Sequence, residues 1–129
     1  MIESSPVILT INETSAGLAR KVRSHLPGTE IHGLVGRVLD ADVHFQETVK
    51  HLKTLFSNGR PIIAILSTGI LIRALAPLLN DKFSEPPVLI LSEDGKSIIP
   101  LLGGHRGANE IGHRLNSILG GNLSVTTAG

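Results

Sequence analysis

One histidine stands inside a glycine-rich turn: from Leu101 to Leu115 the chain reads LLGGHRGANEIGHRL, an apolar run that breaks at Gly103 and Gly104 and resumes as a helical pattern. An imidazole such as His105, aimed into a crevice, could exchange a proton near neutral pH or hold a carboxylate. Gly104 and Gly107 let the backbone turn sharply and approach a ligand, and the start of the following helix offers unpaired N–H groups to an anion. Asn109, in the first helical turn, could add a hydrogen bond. The same residues also fit a plain structural turn with a half-exposed histidine. His113 falls beside Asn109, off the apolar stripe Ala108, Ile111, Leu115 and Ile118, and reads as a surface histidine.

Other candidates lie at the ends of predicted strands. Arg73 is the only charge between Arg60 and Asp81, and its planar fork suits a carboxylate, from a ligand or from the same chain. Thr68 and Gly69 precede it in a polar strand-to-helix turn, and Lys82 sits in the loop beyond. Glu93 could act as a general base, whereas Asp94-Gly95 is sufficiently explained as a turn. In α/β folds the ligand crevice lies at the carboxyl ends of the strands. This rule predicts that Ser67–Thr68–Gly69 with Arg73, Ser92–Glu93–Asp94 and Gly103–Asn109 meet there, joined by Thr127. His105 and His113 lack the spacing of a helical two-histidine metal site, so no protein-bound metal is expected. The turn GGHRG departs from both G-x-G-x-x-G and the P-loop, and no nucleophile elbow surrounds a serine.

The elements that must position these residues can be read in order. Val7 to Ile11 predicts a strand, and Asn12, Glu13 and Thr14 cap a helix through Leu18, Val22 and Leu26 that Pro27-Gly28 ends. A second strand is expected over Leu34 to Leu39, then a helix carrying Phe45, Val49, Leu52 and Phe56 and closed by Asn58-Gly59. Pro61 to Leu66 is a continuous apolar run, the pattern of a strand covered on both faces, leading into a helix over Ile70 to Leu79 that Pro77 should bend. Val88 to Leu91 and Ser97 to Leu102 read as a hairpin around Asp94-Gly95, followed by a helix from Gly107 to Leu119 and a short strand, Leu123 to Thr126. The alternation predicts a three-layer α/β/α domain with a mainly parallel sheet and one β-hairpin.

Composition narrows the functions. The 129 residues, 41% of them hydrophobic, suffice for one core, and a net charge of +1 with three phenylalanines as the only aromatics speaks against nucleic-acid binding. With no cysteine, disulfides and thiolate chemistry are excluded. The N-terminus has no basic start and reaches Glu13 too early for a signal peptide, and the Pro61–Leu79 stretch is interrupted by polar residues. A cytoplasmic protein without a membrane span is expected.

Three ordered motifs, STGILIRALAPLLNDK, PPVLILSEDGKSIIPLLGGHRGANEIGHRL and SVTTAG, together resemble the N-terminal domain of the CbiG family, the cobalt-precorrin-5A hydrolases of anaerobic cobalamin biosynthesis. The match runs from about Pro61 to Gly129. The resemblance implies a single such domain over residues 1–129, belonging to a longer parent chain. It also implies a corrinoid tetrapyrrole substrate whose lactone is opened with release of acetaldehyde, and no cofactor beyond the cobalt that the substrate carries. His105, Glu93 and Asn109 are then expected as catalytic groups, with Thr68, Gly69, Arg73, Lys82, Gly104, Gly107 and Thr127 as substrate contacts. A second hydrolase domain or a precorrin-3B C17-methyltransferase domain is the implied partner. The alternative is a non-catalytic corrinoid-binding module serving that methyltransferase.

Overall fold

A computed structural model describes residues 5–127. Among these described residues seven strands form one sheet in the order β3-β2-β1-β4-β5-β6-β7. The central strands β1 (Val7–Thr10), β4 (Ile62–Ala64) and β5 (Val88–Leu91) are buried along their whole length, as their unbroken apolar runs predict. β2 (Glu30–Leu34) and β3 (Val43–Phe45) extend the parallel sheet beyond β1. β6 (Ser97–Leu102) reverses direction against β5, and the two-residue β7 (Asn122–Leu123) runs parallel to β6.

Helices cover both faces. α1 (Glu13–His25) and α4 (Ala108–Leu119) pack on one face through Ala19, Val22, Ile111 and Leu115, against Ile8, Ile63, Leu89 and Ile98. α2 (Thr48–Ser57) and α3 (Thr68–Leu75) cover the other through Leu52, Phe56, Leu71 and Leu75, against Val7, Leu9, Ile62 and Val88. Burying each of these large side chains contributes roughly 1.5–3 kcal/mol. The result is the three-layer α/β/α arrangement with a mainly parallel sheet and one hairpin. Asn12 caps α1 reciprocally with Ser15, so the capping signal read from the sequence is realised.

Several boundaries move. The second strand is Glu30–Leu34 and not Leu34–Leu39, because Gly33 lies within the strand and the chain turns only after Leu34. Phe45 belongs to β3, a short edge strand with no apolar run to announce it, and α2 begins at Thr48. α3 starts at Thr68, before Ile70, and at Pro77 gives way to a 3-10 turn, Ala76–Leu78, since proline cannot donate to the carbonyl of Arg73. The final strand is Asn122–Leu123 in place of Leu123–Thr126. Among the described residues no helix is long and apolar enough to cross a membrane.

Candidate functional site

The hairpin decides where the glycine turn goes. β6 is antiparallel to β5 and Leu102 pairs with Val88, so Gly103 emerges at the amino ends of the parallel strands. Thr68 and Glu93 follow β4 and β5 at their carboxyl ends. The expectation that all these segments share one crevice is therefore corrected. β6 alone is six residues long, and the two ends of the sheet stand roughly 15–20 Å apart.

At the carboxyl ends lie Thr68, Gly69, Arg73 and Glu93. The Arg73 guanidinium folds back over the first turn of α3, its Nη1 standing 3.0 Å from where a β-carbon on Gly69 would be. Glu93 is held by Asn12, whose Nδ2 donates to Oε2 at 2.8 Å. This contact joins the helix cap after β1 to the end of β5, and nothing in the local sequence of either segment announces it. Asp94 accepts from Ser92 Oγ and from the Lys96 N–H, which hold its carboxyl below the usual range, as a turn-forming aspartate should.

At the amino ends the turn is built by close backbone packing. Gly103 takes a left-handed conformation at φ 66°, and a side chain there would strike the Pro86 carbonyl. The Gly103 carbonyl accepts from the N–H groups of Arg106 and Ala108, folding Gly104–Arg106 into a 3-10 turn that leads into α4. No side chain caps α4; with the Ala108 amide given to Gly103, the N–H groups of Asn109 and Glu110 are the ones left to a ligand among the described residues. Gly104 faces the methyl of Thr127, leaving 2.6 Å to an added β-carbon. Thr127 in turn accepts from Asn109 Nδ2 at 2.9 Å. The Oδ1 of Asn109 is buried and has no partner among the described residues.

Gly104, Asn109 and Thr127 thus interlock beside exposed His105, with Gly107 closing the turn. Lys82 belongs to the exposed loop that leads through Pro86 into β5, at the same end of the sheet. His113 is exposed on α4, as its place off the apolar stripe predicts. Among the described residues no group of three or more His, Cys, Asp or Glu side chains could hold a metal ion.

Fold and turn together define a doubly wound α/β module that presents a glycine-built polar site at the amino edge of its sheet. The family model described as Cobalamin synthesis G N-terminal matches residues 50–129, and the chain belongs to that family. It is 46% identical over 74 residues to the cobalt-precorrin-5A hydrolase of Salmonella typhimurium, covering 57% of this chain and 21% of that one. The cobalt-precorrin-5A hydrolase of Priestia megaterium is 36% identical over 78 residues, with 60% and 21% covered. The chain therefore spans about a fifth of the length of these curated relatives. A cobalamin biosynthesis protein G homologue from Sulfolobus solfataricus shares the fold, with a TM-score of 0.69 at 20% identity over 95% of this chain and 36% of that one.

Proposed function

We propose that this chain is the N-terminal module of a cytoplasmic cobalt-precorrin-5A hydrolase, and that it opens the substrate's lactone, with release of acetaldehyde, at the Gly103–Gly107 turn. The observation that carries the reading is the buried Oδ1 of Asn109, without a partner among the described residues, beside exposed His105. An orphaned buried acceptor is costly, and a donor brought by substrate or water would relieve it. The names of the relatives supply the substrate class.

In this reading the turn and the Asn109 and Glu110 amides of α4 receive a substrate carboxylate, and Lys82 screens a second. Water adds to the lactone carbonyl and the acyl C–O bond breaks, giving a carboxylate and an alcohol. The alcohol then gives up its O–H proton and leaves as acetaldehyde as its carbon–carbon bond to the macrocycle breaks and the ring carbon takes up a proton, with His105 taking and returning the proton. Asn109 gives one Nδ2 hydrogen to Thr127 Oγ1, and its Oδ1 would accept from the attacking water and orient it. Cobalt enters with the substrate. Thr68, Gly69, Arg73 and Glu93 stand at the other end of the sheet and take no part in this step.

The chain incubated with cobalt-precorrin-5A should release acetaldehyde, and His105→Ala should lower the rate at least about a hundredfold while corrinoid affinity changes by less than about threefold. Undiminished turnover in His105→Ala would remove the acid–base role. Tight binding with no acetaldehyde from the unaltered chain would instead favour a binding module serving a methyltransferase.

A further inference from the structure

On the α2 face, away from the glycine turn, four polar side chains form a continuous chain. His32 of β2 is only 4% exposed. Its Nε2 lies 3.0 Å from Glu30 Oε1, and its Nδ1 lies 2.8 Å from Nε2 of His51 on α2. Arg60 reaches the same Glu30 oxygen at 3.3 Å. The His51 ring stacks on Phe45 at 4.7 Å and borders a recess of about 270 Å³ that also touches His44, Glu47 and Lys50.

The protons in this chain can be counted. Glu30, held as a carboxylate by His32 and Arg60, can only accept, so His32 Nε2 carries a hydrogen. The contact between the two imidazoles needs one hydrogen, donated by one ring to the bare nitrogen of the other. The pair can take one extra proton, on His51 Nδ1 or on His32, and keep that bond. A second makes both rings imidazolium and sets N–H against N–H across 2.8 Å. We propose that His32 and His51 form a proton-operated latch between β2 and α2, closed with up to one extra proton and opened by the second.

The charged surroundings agree. Glu30 favours the first proton, and Asp42 also feels the charge on His32. Arg60 is paired with Glu30, Lys50 and Glu47 border the recess beside His51 with opposite charges, and His44 has its Nε2 on the Val38 carbonyl. Arg73, the only charged residue on α3, lies folded against Gly69. Burial, and then His32, hold His51 below the ordinary imidazole range. A depressed folded value means that the open form binds the proton more readily. The latch is thus fully closed above the ordinary imidazole pKa of about 6.5 and loosens as the pH falls through the depressed one.

Hydrogen-exchange protection of the α2 amides, corrected for intrinsic rates and referred to α4, should fall about three- to tenfold between pH 7 and pH 5. His51→Gln keeps an N–H donor for His32 but cannot be protonated, and should leave that ratio flat. Equal changes in α2 and α4, or the same loss in His51→Gln, would overturn the proposal. Should that variant not fold, imidazole nitrogen spectra of the unaltered chain decide: two separated, coupled proton uptakes are expected, and independent single-step titration of the two rings refutes the latch.

Discussion

Gly104 carries a constraint that its own neighbourhood in the sequence does not reveal. A β-carbon there would lie 2.6 Å from Cγ2 of Thr127, so Gly104→Ala must push Thr127 away and stretch its hydrogen bond from Asn109. Because Thr127 is exposed, its displacement costs less than the about 1–3 kcal/mol of an overpacked core. Thr127→Ser removes the obstructing methyl and keeps the hydroxyl. Thermal denaturation should therefore show a lowered Tm for Gly104→Ala and recovery of most of the loss in the double variant. Failure to recover would mean that the strain lies in the backbone of the turn. The glycines of GGHRG announce a turn from sequence alone. The pairing of Gly104 with Thr127, and the acceptor role it leaves to Asn109, become visible only once β7 is seen beside β6.

At the level of elements, Gly33 shows why one strand was misplaced and what that strand requires. It lies inside β2, and a β-carbon there would meet Val38 at 2.7 Å and Ala41 at 3.1 Å, where the crossover to β3 folds back over the sheet. Gly33 serves this close approach, and Gly36, at φ 81°, serves the turn that follows the strand. Gly33→Ala should cost about 1–3 kcal/mol, with Val38→Ala in the same chain restoring part of it, as measured by urea denaturation. No recovery would place the clash with Ala41. Strands β1, β4 and β5 were legible because an unbroken apolar run has few other uses. The start of β2 was not, since Glu30 and His32 belong to a partly exposed polar chain that no local pattern encodes. The hairpin at Asp94-Gly95 was legible too. Its consequence is geometric: a strand that reverses delivers its last residue to the opposite end of the sheet, and the glycine turn with it.

For the whole molecule, the two-ended arrangement determines which cations the proposed corrinoid substrate would feel. The reversal of strand winding between β1 and β4 sends α1 and α3 to opposite faces, and leaves the usual α/β crevice at the carboxyl ends, where Asn12 and Glu93 already satisfy each other. The Asn109 oxygen, without a partner among the described residues, and the start of α4 that no side chain caps are at the amino ends. Lys82 shares that end, on a loop whose exposed ammonium stands 5.3 Å over the Phe83 ring, and Arg73 does not. A charge roughly 15 Å away through salt solution is largely screened, because the Debye length is about 8 Å at physiological ionic strength. Lys82→Ala should accordingly weaken cobalt-precorrin-5A binding about three- to tenfold, more at low salt than at high. Arg73→Ala should change the Kd by less than about twofold at either salt. Titrations of both variants at two ionic strengths separate the ends: a loss confined to Arg73→Ala would seat the corrinoid at the carboxyl ends and remove His105 from its chemistry.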